Sequence, residues 1–142
     1  MDPTLFDFTY VLGGSRILTV CDVLAQFYFK HECRYTFNDD QTLATFDPGQ
    51  SGLDQPSTEV LQSALNSIQS LYGYYLLRQI RNPLLSDTDK YMISDFPISP
   101  TWKTNMSAYR ETLRNLPDTL RANNTVIDVL NLNQYFPIMP MS

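Results

Sequence analysis

Between residues 47 and 52 the chain reads Asp47-Pro48-Gly49-Gln50-Ser51-Gly52, and the hydrophobic period differs on its two sides. Proline and glycine set among small polar residues interrupt both helix and strand, so this stretch reads as a linker. Before it, apolar and polar residues tend to alternate; after it, apolar residues return every three or four positions. The reading is α+β. Residues 1–50 form a β-rich part built of antiparallel hairpins, residues 51–117 a helical hairpin, and residues 118–142 a C-terminal extension.

In the first part Phe6, Phe8, Tyr10 and Leu12 alternate with Asp7, Thr9 and Val11, and Gly13-Gly14 offers the positive φ angles of a tight turn into residues 16–21. An aromatic-rich run over 26–37 follows, then the turn Asn38-Asp39-Asp40 and a return over 43–46. Four or five antiparallel strands are expected. As an alternative to strand, residues 20–29 could hold a short helix, because Val20, Val23, Leu24 and Phe27 also fit a helical stripe.

Beyond the linker, Pro56-Ser57-Thr58-Glu59 starts a helix, and Leu61, Leu65, Ile68, Tyr72 and Tyr75 mark one face. This helix is expected to end near Arg81, stopped by Pro83. Its other face is Gln, Asn and Ser, without a charge between Glu59 and Arg78, which suits partial cover by another chain. Gly73 within it costs roughly 1 kcal/mol relative to Ala and reads as a tolerated weak spot, close approach by a neighbouring backbone being the alternative. Ser99 and Pro100 cap and open a second helix, in which Trp102, Met106, Tyr109, Leu113 and Leu116 form one seam up to Pro117. The short connection over 87–98 lets this helix fold back antiparallel on the first. Leu61, Leu65, Ile68, Tyr72, Trp102, Tyr109 and Leu113 are expected between the helices or against the sheet.

The net charge of -5 argues against unaided binding to a phosphate backbone, so no nucleic-acid partner is expected. Polar residues interrupt the longest uncharged run, over 60–77, so no membrane span is expected either. Met1-Asp2-Pro3 begins no recognisable secretory signal, and Cys21 and Cys33 read as reduced thiols of a cytoplasmic product. His31, the single histidine, would share a strand face with Cys33, which makes a Cys-His pair conceivable although no third group orients it. Asp87, Thr88, Asp89 and Asp95 carry hard oxygen ligands, but without the glycine and terminal glutamate of a calcium loop they suit a capped turn better than a metal. No metal and no cofactor is expected. Arg110 and Arg114 lie one turn apart where that acidic turn would pass, and one of them should fasten a carboxylate of Asp87, Asp89 or Asp95.

Arg81, Leu84, Leu85, Thr88, Asp89, Tyr91, Asp95, Pro97, Trp102, Tyr109, Arg110, Leu113, Arg114, Leu116 and Pro117 follow one another in an order that resembles the phage tail assembly chaperone family. The resemblance covers roughly residues 78–117, with Phe136-Pro137 standing where the family ends in Trp-Pro. It implies a non-enzymatic bacteriophage protein that acts by protein contacts in tail or tail-fibre assembly, in the host cytoplasm. Its partners would be other tail, baseplate or tail-fibre proteins, or another copy of itself. Asp87, Asp89, Asp95, Trp102, Tyr109, Arg110, Leu113, Arg114, Phe136 and Pro137 are then structural and interaction positions. Two other readings stand beside this one. The first is a permanent virion component joining tail, baseplate or fibre, and the second a small enzyme built on His31 and Cys33. The apolar end Phe136-Pro137-Ile138-Met139-Pro140-Met141 is expected to take part in an interface of about 800 Å² per partner.

Overall fold

In the computed structural model, which describes residues 1–11 and 16–141, the N-terminal alternation does not become a strand. Pro3–Leu5 and Phe8–Tyr10 are 3-10 turns instead. Each is opened by an aspartate that accepts from the backbone amide two residues on, Thr4 to Asp2 at 3.0 Å and Thr9 to Asp7 at 2.9 Å. Such local bonds give the backbone an alternative to a ladder, and here they prevail. The apolar residues are still used: Phe6 is buried, with its ring 5.2 Å from that of Phe8 and 6.3 Å from that of Phe27. The expected turn at Gly13-Gly14 lies outside the described residues.

The chain divides into two compact units, Met1–Tyr72 and Gly73–Ser142. In the first, residues 20–29 take their helical alternative as α1, Val20–Phe27, with Val23 and Leu24 fully buried. Asp22 accepts from the Thr19 amide at 2.7 Å and pairs with Arg16 at 2.5 Å, which fixes the helix start. Burial pushes the Asp22 carboxyl up, but the bonds from Arg16 and Thr19 outweigh it and hold the group below the ordinary carboxylate value. The sheet that follows has two antiparallel strands, β1 (Arg34–Phe37) and β2 (Leu43–Asp47), rather than four or five. Its register pairs Tyr35 with Phe46 and Thr36 with Thr45. The Asn38–Asp40 turn closes it as expected, with Asp40 accepting from the Thr42 amide at 3.0 Å. The α+β class holds, with a smaller sheet than the alternation implied.

Helix α2, Thr58–Thr88, starts where expected, and the Val60 amide donates to Ser57 Oγ at 3.2 Å. Leu61, Ala64, Leu65, Ile68 and Tyr72 are its buried residues in the first unit, while Gln62, Ser63, Asn66, Ser67 and Ser70 are exposed. Gln62 and Asn66 bond to each other along that polar face at 2.9 Å.

In the second unit α2 does not stop at Pro83 but runs through it to Thr88, and α3, Pro100–Ala122, runs through Pro117 in the same way. Ser99 caps α3, accepting from the Trp102 amide at 3.1 Å. A proline inside a helix costs about 3 kcal/mol. Here each is followed by residues that pack: Leu84 and Leu85 lie against Met106, Tyr109 and Leu113, and Leu120 lies against Tyr74, Leu77 and Leu132. Fully burying one Leu side chain is worth about 1.5–3 kcal/mol, so the partly buried Leu84 and Leu85 offset much of the cost of Pro83, and Leu120 together with the buried Pro117 ring offsets part of the second. The two helices are antiparallel, because contacts that climb α2 descend α3: Arg121 lies over the Tyr74 ring, Arg81 bonds to the Arg114 carbonyl and Arg110 to the Leu85 carbonyl.

Gly73 is the place of close approach, although to a side chain and not a backbone. A Cβ built on it would lie 2.7 Å from Ile127 Cβ and 3.1 Å from its Cγ2. Ile127 in turn packs on the cluster around Tyr74, Leu77 and Leu132. Gly73→Ala should therefore lower stability by about 1 kcal/mol, overpacking of roughly 2 kcal/mol outrunning the better helix propensity of Ala. Urea unfolding measures the difference, and a stabilised variant would show that Ile127 yields freely.

Candidate functional site

The motif residues converge on the end of α2 where the chain turns into α3. Arg110 is 6% exposed, and its guanidinium reaches back across the hairpin. Nη1 donates to the Leu85 carbonyl and to Thr88 Oγ1, each at 2.6 Å, and Nη2 donates to Asp89 Oδ1 at 2.5 Å. Thr88, 2% exposed, donates its own hydroxyl hydrogen bond to the Leu84 carbonyl at 2.8 Å. The last carbonyls of a helix have no amide partner within it, and a cation there also meets the negative end of the helix dipole. Arg110 thus serves as a cap supplied by the opposite helix. Its Nε is buried without a partner.

The pairing expected between an arginine and the acidic turn is made by Arg110 and Asp89. Arg114, Asp87 and Asp95 are exposed, and no side-chain bond among the described residues joins Arg114 to any of these carboxylates. Arg114 enters only through its carbonyl, which accepts from Arg81 at 3.4 Å. Tyr109 and Leu113 form the buried seam of α3 with Met106, and burial raises the Tyr109 phenol above the ordinary value of 10.0. The sequence places Thr88 in a capped turn but not under Arg110, and it gives the Leu85 carbonyl no part. A backbone acceptor carries no residue signature, and Thr88 differs from any turn threonine only by being covered.

Past the turn, Tyr91 sits 5.2 Å from Phe96 and 4.8 Å from Trp102, both edge to face. Trp102 is half-buried, and its Nε1 donates to the Pro140 carbonyl at 3.3 Å. Phe136 packs against both buried clusters of the unit, and Pro137 beside it is half-buried. The C-terminal end is accordingly seated on its own chain as far as Pro140, leaving Ile138 and Met141 almost fully exposed.

The remaining candidates are structural. His31 is exposed in a 3-10 turn, Phe29–His31, and Glu32 at φ 67° breaks the extended backbone between it and Cys33, so the two do not share a strand face. Cys33 is buried with its Sγ 3.2 Å from Ser51 Oγ. Among the described residues no group of three or more His, Cys, Asp or Glu is placed to hold a metal ion, and no described helix is long and apolar enough to cross a membrane.

What these residues build is a hairpin of two helices with a buried cross-helix cap, a part that holds a shape. Residues 75–126 match the family described as phage tail assembly chaperone protein, the family that the motif resembles. The matched stretch takes in the second part of α2, the clamped turn and all of α3. No curated protein and no solved structure matches the chain.

Proposed function

We propose that this protein is a non-enzymatic factor of phage tail assembly, working in the host cell by protein contacts with a tail, baseplate or tail-fibre component. The coincidence of the family match with the Arg110-clamped hairpin carries this reading. Most polar groups at that site are engaged in closing the hairpin: Arg110 Nη1 caps α2 and bonds Thr88, and Nη2 donates to Asp89. The surface of the same unit supports contact with other proteins. Ile93, Val126, Leu130, Ile138 and Met141 are each more than half exposed, and exposed apolar groups of this kind are usually covered by a partner.

Affinity purification of the tagged chain from infected cells, followed by mass spectrometry of the free and the particle fractions, tests the proposal. Tail, baseplate or fibre proteins should be recovered with the free chain, and purified particles should lack it. Recovery of no tail component would overturn the reading. Stoichiometric presence in particles would replace the transient factor with a permanent virion component.

A further inference from the structure

Four arginines of Gly73–Ser142 border one side of the helical hairpin. Arg78 and Arg81 follow Tyr74 by four and seven positions on α2, and Arg121 follows Arg114 by seven on α3, so each set lies along one face of its helix. The two faces meet: the Arg121 guanidinium lies 4.5 Å from the centre of the Tyr74 ring, and Arg81 Nη1 donates to the Arg114 carbonyl at 3.4 Å. Carboxylates are scarce there. Asp118 reaches Arg121 at 3.7 Å, and Glu111 stands one turn before Arg114 without an ion pair between them. Arg81 gives Nε and Nη2 to the neutral Asn82 side chain. Among the described residues no ion pair engages Arg78, Arg81 or Arg114, in contrast to Arg16 and Arg110, each of which is matched to an aspartate.

The complementary charge is carried by the other unit. Met1–Tyr72 holds nine carboxylates against three Lys or Arg, whereas Gly73–Ser142 holds six against seven. Asp39 and Asp40 stand adjacent and exposed at the turn between β1 and β2, where the Thr42 amide donates to Asp40 at 3.0 Å. Paired strands lie about 4.8 Å apart and packed helix axes about 8–10 Å apart, so the tip of a hairpin fits across the seam of two helices. Guanidinium forks take carboxylates two bonds at a time. We propose that the arginine face of one copy receives the Asp39-Asp40 tip of a second copy, so that the chain associates with itself through two different patches. Such a contact is heterologous, and each copy keeps one patch free for a further copy. Phosphate is the other anion onto which arginines fork, but a nucleic acid would approach a chain of net charge -5. The association stands apart from the tail-assembly reading, and neither depends on the other.

Sedimentation velocity of the full chain over a range of concentrations reads the association. At about 20 mM NaCl the mean mass should rise with concentration, and at about 300 mM, where the screening length is well under about 10 Å, association should weaken at least about tenfold. Exposed ion pairs are weak one by one, so each variant removes two charges together. Arg78→Gln with Arg114→Gln neutralises one patch, and Asp39→Asn with Asp40→Asn neutralises the other while keeping an acceptor for the Thr42 amide. Each double variant alone should associate at least about tenfold more weakly than the natural chain. Mixed in equal amounts, the two should form one-to-one pairs that grow no further, because each brings the patch that the other lacks. If a double variant loses its helical circular dichroism, Arg114→Gln alone or Asp39→Asn alone takes its place with the same direction of effect. A natural chain that stays monomeric at low salt, variants that associate as it does, or a mixture that stays monomeric would each overturn the proposal. So would a monomeric chain that binds polyglutamate or a DNA oligonucleotide through Arg78 and Arg114, which would assign the face to a foreign acidic segment or to nucleic acid instead.

Discussion

Arg110→Ala should lower the unfolding free energy by about 3 kcal/mol, while Asp89→Ala should lower it by about 0–1 kcal/mol. The asymmetry follows from where the two partners sit. The Arg110 side chain is 7% exposed and that of Asp89 67%, so a released carboxylate returns to water whereas the groups that Arg110 served remain covered. Truncation removes the charged donor that the Leu85 carbonyl and Thr88 Oγ1 share, leaving them only the bonds that the Thr88 hydroxyl donates to the Leu84 and Leu85 carbonyls, and leaves space inside the hairpin. Hydrogen bonds to a charged group contribute about 1.5–3 kcal/mol, and the cavity adds to that loss. Arg110→Lys should recover only part of the loss, since an ammonium cannot reproduce the fork that reaches three acceptors. Urea midpoints at unchanged slope measure all three variants. Equal costs for Arg110→Ala and Asp89→Ala would show that the clamp is a surface ion pair and nothing more.

Leu113→Ala should cost about 3 kcal/mol, within the 2–5 kcal/mol range of fully buried leucines, and Leu113→Met less than about 1.5 kcal/mol. Leu113 is 0% exposed and packs with Met106 and Tyr109, the cluster on which Leu84 and Leu85 lie after Pro83. That position gives the substitution a second effect. The turn of α2 beyond Pro83 persists because it packs on this cluster, so a cavity there should loosen residues 84–88 ahead of the rest of the helix. Hydrogen exchange of the Leu85 to Thr88 amides should quicken in Leu113→Ala beyond the change in global stability. Uniform acceleration along the whole of α2 would reject the local dependence.

Helix starts were legible because a cap is written in one or two residues. Ser57 and Ser99 do what serine before a helix does, and Asn38 to Asp40 turn the chain where short polar residues should. The errors share a cause. Pro83 and Pro117 read as stops because the local cost of proline is visible in a sequence and the packing that offsets it, Leu84 and Leu85 on the Met106 cluster or Leu120 on the Leu77 cluster, is not. At the N-terminus the period-two alternation of Phe6, Phe8 and Tyr10 hid a repeated Asp-x-Thr, whose side-chain bonds build turns. Thr19-x-x-Asp22 likewise carried the start of α1 in plain view. At the site, opposite charges in compatible places pointed to an arginine bond with the acidic turn. That the guanidinium serves chiefly the end of a helix depends on how α3 lies against α2, which only the folded chain displays.

The clamp joins Arg110 to partners only 21, 22 and 25 positions away in the chain. Closing so short a stretch carries a small entropic cost, and contacts that are near in sequence form early. The clamp's own bonds close within that stretch, while Ile127, Leu132 and Phe136 beyond it complete the buried clusters. The family match, residues 75–126, falls inside the single unit Gly73–Ser142 and ends before the proline-bearing tail. In this chain the segment that follows the matched stretch is the one whose Pro140 carbonyl rests on Trp102.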